Sequence, residues 1–444
     1  MSLASNHMGY SAAVPRRPAA GAGLAPSFVE ILAVAVLFVC YLVARSLVDD
    51  AGLPVINLAG PAILSVIMIA NAVSMVKHYG RLLWTSLFWF RLSTAAYFGF
   101  GSFVIYLIDD DSRTYLEGFF NFSDVDIFKL NLVVTFSVLL VLISAKAGVF
   151  AYRRVVTARS RTSKPAVTAS GKGIFTAAVI FLVVGLVVNY TTVIPYRMGW
   201  TGVVLPGAFA NFAQFTPIGV FLITLWSLRY ARTLLPFVLL LIGVEMTMSI
   251  LMFMKSAMLM MLIMVSFAFL WDRVTTQKML FFGGLVVFAF VAISPVVSDA
   301  RFEIKQRYGA NTQAGFAERF EILQESLRHE TLADDMQDQH GGLLRLSYVN
   351  AATFVIQLYD SGNSSDWPKL IPAVFVPRVI WPEKPIISDI GLDIYELSRG
   401  HRSSSAGAGL FAEAYWAMGW LGLVVFVPGY GFILGFLTNF TANT

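Results

Sequence analysis

Hydrophobic positions in this chain come in blocks rather than in alternation. Runs of about 20 nearly uncharged residues recur at roughly 28–48, 55–75, 87–108, 131–152, 174–194, 208–228, 235–254, 256–271, 279–297 and 408–437. A helix needs about 20 apolar residues to cross a bilayer, so each block predicts a transmembrane helix. The period-2 pattern of a β-barrel is absent. The expectation is an all-α, polytopic integral membrane protein with about ten transmembrane helices: about nine in 28–297 and one more in 408–444. Residues 1–27 contain Arg16, Arg17 and many alanines but no apolar core. They read as a disordered tail without a cleavable signal, with the first block acting as a signal anchor.

The polar blocks between these runs predict an orientation. Segment 153–173 carries six Lys/Arg and no acid. Lys77 and Arg81, Arg229 and Arg232, and Arg273 and Lys278 fall on the same side if the crossings alternate. Asp49, Asp50 and the acidic stretch 108–126 fall on the other. The positive-inside rule then puts the N-terminus in the cytoplasm. Residues 298–407 break the rhythm with 15 acids, 11 Lys/Arg and three of the five histidines. Topology predicts that this large loop is extracytoplasmic. It includes a helical pattern at 343–359 and an aromatic, proline-bearing stretch at 367–385, unlike a disordered segment. The soluble chemistry is therefore expected there, beside the membrane surface. No internal repeat is visible.

Composition agrees with this class: 57% of residues are hydrophobic and 13% charged. The net charge of +5 would suggest nucleic acid in a soluble protein. Here the clustering of basic residues in particular loops accounts for it, and no nucleic-acid partner is expected. Cys40 is alone, so no internal disulfide forms and no zinc or redox spacing exists. There is no HExxH or DxD motif, and no metal or cofactor is expected.

Within the loop, residues 376–385 read VPRVIWPEKP. Each proline fixes its own φ and biases the residue before it away from helix. Arg378 and Lys384 can thus be held in place at little entropic cost. The plain alternative is a turn beside the membrane with Trp381 as an interfacial anchor.

Proline-arginine, two apolar residues, then tryptophan-proline-X-lysine-proline resembles the large outer loop of the Wzy-type polysaccharide repeat-unit (O-antigen) polymerases. Further on, RSSSAGAGLFAEAYWAMGWLG (402–422) resembles their serine-rich loop and late span, with Glu413, Tyr415, Gly419 and Gly422 in the matching places. Arg345 matches an arginine these proteins carry ahead of the proline motif. KSAMLM (255–260) resembles their short outer turn, with Lys255 as its cation. The specific likeness covers 343–422. It does not extend to 389–401, and such proteins often continue with one or two more spans than this sequence has.

The resemblance implies a GT-C-like, metal-independent glycosyltransferase of the bacterial inner membrane, with its large loop in the periplasm. Such an enzyme moves a glycan from undecaprenyl pyrophosphate onto a sugar hydroxyl of another lipid-linked repeat unit. Membrane lipids, a flippase and a chain-length regulator are the implied partners. Charge develops on the departing pyrophosphate, so preorganised cations are needed. The candidates are Arg378, Lys384, Arg345, Lys255 and Arg402, with Arg301 weaker. The acceptor hydroxyl needs a base, for which Glu413 and His401 lead and Asp389 and Asp393 follow. His401 lies between Arg399 and Arg402, whose charge favours the neutral imidazole. Trp381 and Tyr415 are candidate glycan contacts, though Trp and Tyr also form interfacial belts without any ligand. Glu245 lies mid-span, either lining a carrier cavity or pairing with Arg91 or Lys146. An O-antigen ligase and a lipid-linked glycan transporter or flippase remain the alternatives.

Overall fold

The computed structural model describes residues 24–78, 80–108, 110–159, 171–198, 200–201, 211–272, 274–308, 314–328, 349–371, 376, 380–381, 389–400 and 406–443. Among these the chain is all helical, and eight helices are long and apolar enough to cross a membrane. They lie in α1 (Phe28–Leu47), α2 (Leu53–His78), α5 (Asp124–Arg159), α6 (Gly171–Val188), α7 (Phe215–Tyr230), α8 (Leu235–Leu251), α10 (Thr276–Tyr308) and α14 (Leu410–Asn443). Shorter helices are α3 (Ser86–Ser93), α4 (Asp110–Phe120), α9 (Lys255–Leu270), α11 (Phe316–Arg328), α12 (Val349–Asp360) and α13 (Asp389–Arg399).

Two of the ten expected crossings depart from that form. The 256–271 block is the shorter apolar helix α9. The 87–108 block is interrupted: α3 passes into a π-helical turn, Thr94–Phe100, and then into two short helical pieces ending at Tyr106. Close packing accompanies the wide turn. Ser65 Oγ donates to Ala95 O at 3.0 Å, and a Cβ on Gly99 would overlap Ser65. Helix α10 runs past residue 297, so the start of the expected loop is a continuation of a membrane helix.

The helices form two groups. In one, α5 packs along α14, and α1, α2, α12 and the α3 segment complete a shared apolar core. In the other, α6 to α11 enclose smaller cores. Trp84 sits edge-on to Phe267, Trp89 meets the same ring at a tilt, and Trp84 also meets Trp271, joining the groups.

Helices α5 and α14 lie parallel. Phe136 meets Trp420, Gly431 meets Val141 and Ser144, Gly435 meets Ala145, and Asn439 Nδ2 donates to Val149 O at 3.0 Å. Small residues let the backbones touch: a Cβ on Gly148, Gly431 or Gly435 would overlap atoms of the opposing helix. Two parallel membrane helices require an odd number of crossings between them, which the blocks between 159 and 410 supply.

Helix α14 is not one rod. Met418 and Gly419 leave helical geometry, with Gly419 at φ 60°, ψ −141°, a region open to glycine. Gly422 packs against the carbonyl of Ala414. Eight residues along a straight helix would separate these positions by about 12 Å. Residues 410–417 therefore fold back beside 420–443, and only the second arm can cross. The expected last span, 408–437, is corrected accordingly.

In this group Arg91 and Glu30 form a buried bidentate pair, Nε–Oε1 2.6 Å and Nη2–Oε2 2.7 Å. Met75 also touches Arg91. The option that Glu245 pairs with Arg91 is thus overturned, because a fully enclosed guanidinium needs its carboxylate at once. Glu245 instead accepts from Tyr190 Oη at 2.9 Å.

Candidate functional site

The 410–417 arm is held by segment 360–367. Trp367 Nε1 donates to Glu413 O at 2.8 Å, Trp416 Nε1 to Asn363 O at 2.9 Å, and Ser365 N to Trp416 O at 3.1 Å. Tyr415 Oη donates to Asp360 Oδ1 at 3.1 Å, and Asp360 also pairs with Lys129. The Lys129 ammonium stands 5.2 Å from the centre of the Tyr415 ring, and Tyr359 packs edge-on against the same ring. The indoles of Trp367 and Trp416 thereby satisfy main-chain carbonyls at the edge of the bundle, as buried polar groups must be satisfied.

Glu413 is half-buried in the first turn of α14, where the helix dipole favours a carboxylate. Its carboxylate accepts from the main-chain N–H of Gly409, whose φ of 83° opens the helix. The partner is a backbone amide, which leaves further carboxylate lone pairs for a hydroxyl. Tyr415 lies two positions on and faces Asp360 and Lys129 instead, since residues i and i+2 do not share a helix face. The structure does not aim Glu413 and Tyr415 at one point.

Lys255 belongs to the other group. It is the first residue of α9, buried, with Nζ donating to Ser294 Oγ at 2.9 Å. A cation is disfavoured at a helix N-terminus. More cations gather at the same turn, whose Phe253 takes φ 53°. Arg301 Nε donates to Phe253 O at 2.7 Å. Arg319 lies over the Phe253 ring and donates to Ala314 O at 3.0 Å, Leu251 O at 3.5 Å and Arg197 O at 2.9 Å. Burial, with the nearby positive charge of Arg197, holds the Arg319 guanidinium below its ordinary pKa. Helix α10 leads from this turn into 298–407, and that segment returns to the 410–417 arm. No candidate span lies between them among the described residues.

Arg378, Lys384, Arg345, Arg402 and His401 lie outside the described residues. Trp381 is exposed, while Trp367 makes the aromatic contacts at the arm, packing on Phe426 at 4.9 Å. Asp389 and Asp393 stand on α13, whose Gly391 O accepts from Ala406 N at 2.9 Å. Sequence reasoning missed Lys129, Asp360 and Arg319. Lys129 sits in an ordinary helix start, and Arg319 reads as a solvated face of an amphipathic helix. Their partners lie far off in sequence, so no local spacing marks them. Among the described residues no group of three or more His, Cys, Asp or Glu is placed to hold a metal ion.

The chain matches no family model, no curated protein and no solved structure.

Proposed function

We propose that this protein is a repeat-unit polymerase of the GT-C-like kind: an integral-membrane glycosyltransferase that joins undecaprenyl-pyrophosphate-linked oligosaccharides outside the cytoplasm. The observation that carries the reading is the gathering of Lys255, Arg301, Arg319 and Arg197 around the Phe253 turn, at the end where 298–407 emerges. Several cations beside a membrane surface suit an anion whose charge grows during reaction, as a leaving lipid pyrophosphate does. Arg319 and Arg301 spend donors on carbonyls and so fix the turn. Lys255, whose ammonium donates to Ser294, is proposed to meet the phosphates together with Arg378, Lys384, Arg345 and Arg402. Glu413, on the folded-back arm, is the proposed base for the acceptor hydroxyl, with His401 as its rival.

One observation favours a transport reading instead. Transporters build their sites from discontinuous helices, and both the π-helical interruption at Thr94–Phe100 and the folded arm of α14 are of that type. Glycan length separates the two. In cells lacking the native protein, wild type, Arg378→Ala and Arg378→Lys are expressed at matched levels. A polymerase with a bidentate arginine–phosphate contact leaves single lipid-linked repeats in both variants. A transporter lost by deletion leaves no repeat units outside the membrane at all. Long chains with Arg378→Ala remove that residue from the site, and normal chains after deletion remove the polymerase reading altogether.

A further inference from the structure

Helix α11 presents three faces. At about 3.6 residues per turn, Arg319, Ile322 and Ser326 fall on one side and Phe316, Phe320 and Leu327 on a second. Glu318, Glu321 and Glu325 fall on a third, nearly opposite the second. The first is the bundle side. Arg319 and Ile322 are buried, and Ile322 shares a core with Val297, Ala300 and Ile304 of α10. The second is bare: Phe316, Phe320 and Leu327 are 48%, 54% and 65% exposed. Such a stripe on an otherwise polar helix marks an interaction surface.

Two measures set the height of this helix. Helix α10 has 33 residues and is about 50 Å long, whereas a hydrocarbon core is about 30 Å thick and a whole bilayer about 40–45 Å. Ala300 and Ile304, on which α11 packs, stand about 36–42 Å from the start of α10, in the layer of lipid headgroups. Independently, the Arg319 guanidinium donates to Leu251 O and Arg197 O. These are the last carbonyls of two neighbouring candidate spans, so α11 lies where those spans end.

The acids set its roll. Arg307 Nη2 donates to Glu325 Oε2 at 2.6 Å, and Tyr308 lies beside Glu318. Arg307 and Tyr308 end α10, farther from the membrane than Ala300 or Ile304. The acidic face therefore turns toward water, and the bare face turns back toward the bilayer.

We propose that α11 is an interfacial helix. Phe316, Phe320 and Leu327 insert into the leaflet on the side where 298–407 emerges, and the lipid surface is the partner of this face. Apolar burial drives such insertion, and with its three acids turned outward α11 needs no anionic lipid. The same helix carries Arg319 on its bundle side, so its seat in the lipid fixes the height of the Phe253 turn. That seat is independent of what the protein acts on.

The test uses the full chain in nanodiscs of phosphatidylcholine, and again with phosphatidylglycerol added. Cys40 is the sole cysteine and is removed by Cys40→Ser. Nitroxides are then attached through Phe320→Cys, Leu327→Cys or Glu321→Cys. Power saturation against oxygen and a water-soluble nickel chelate should put the labels at 320 and 327 about 5–10 Å into the headgroup–acyl boundary, and the label at 321 in water, in both lipids. Hydroxyl-radical footprinting repeats the question on the unsubstituted protein, where no variant can misfold. Phe316 and Phe320 should be spared while Tyr308 is oxidised. Labels at 320 and 327 as open to the nickel chelate as the label at 321, or Phe320 oxidised like Tyr308, overturn the proposal. So does insertion that depends on phosphatidylglycerol. Labels shielded from both reagents also overturn it, and put a second copy of this chain on that face.

Discussion

The indole nitrogen of Trp367 lies 2.8 Å from the main-chain oxygen of Glu413, across an interval of 46 residues. That bond ties a loop after α12 to the first turn of the folded arm, and it is the contact that sets how the proposed base is held. Trp367→Phe removes the donor and keeps most of the ring contact with Phe426. The expected cost is about 1–2 kcal/mol, because the carbonyl loses its partner at a partly buried site. A lower unfolding midpoint in detergent would show it. Under the polymerase reading glycans also shorten while Trp416→Phe, which frees Asn363 O instead, shortens them less.

Asp360 serves two partners of unequal depth. Lys129 is partly exposed, and an ion pair of that kind contributes about 0–1 kcal/mol. Tyr415 is buried, and its hydroxyl relies on Asp360. Asp360→Ala should therefore cost about 1–3 kcal/mol and Lys129→Ala clearly less. The order of the two unfolding midpoints checks this; equal midpoints would mean the Tyr415 hydroxyl finds another acceptor.

Gly435 and Gly429 sit on the same helix with opposite surroundings. A Cβ at Gly435 would overlap the backbone of Ala145, while one at Gly429 meets nothing within 4 Å. Gly435→Ala should force α5 and α14 apart and cost about 1–3 kcal/mol. Gly429→Ala should be neutral or stabilise by up to about 1 kcal/mol through helix propensity. Thermal unfolding of the two purified variants, side by side, decides it.

Glu30 and Arg91 are each almost fully enclosed. Breaking the pair leaves one buried charge alone, for about 3–5 kcal/mol. Glu30→Gln and Arg91→Met should each lower the yield of monodisperse protein sharply. The double variant should recover much of it. A double variant no better than the worse single one would show that the pair does not act as a unit.

The crossings were legible because hydrophobic runs of membrane length have few other meanings. Their interruptions were not. Nothing in TAAYFGF separates a π-helical turn from an α-helical one, since the difference lies in how Gly99 seats on Ser65. The break at Gly419 looks in sequence like one more small residue in a greasy helix. Only the Tyr359 ring and the contact of Gly422 with Ala414 show that the chain reverses there. Glu413 stood out as a carboxylate near a span end, but its partner, the amide of Gly409, carries no side-chain signature. Glu30 was overlooked for the opposite reason. A single acid at the start of a long apolar helix reads as dipole compensation until Arg91, 61 residues later, is seen to meet it.

The parallel union of α5 with α14 bears on how the protein is made. A ribosome delivers α5 early and its chief partner much later, after every intervening helix has been threaded into the bilayer. Until then Gly148 and the small residues around it present a bare seam, which lipid or a chaperone must cover. The α6–α11 group is complete in sequence before that moment and is free to close by itself. The step that brings in α14 thus also finishes the Glu413 arm, so a chain interrupted before that helix leaves an assembled half and no proposed site.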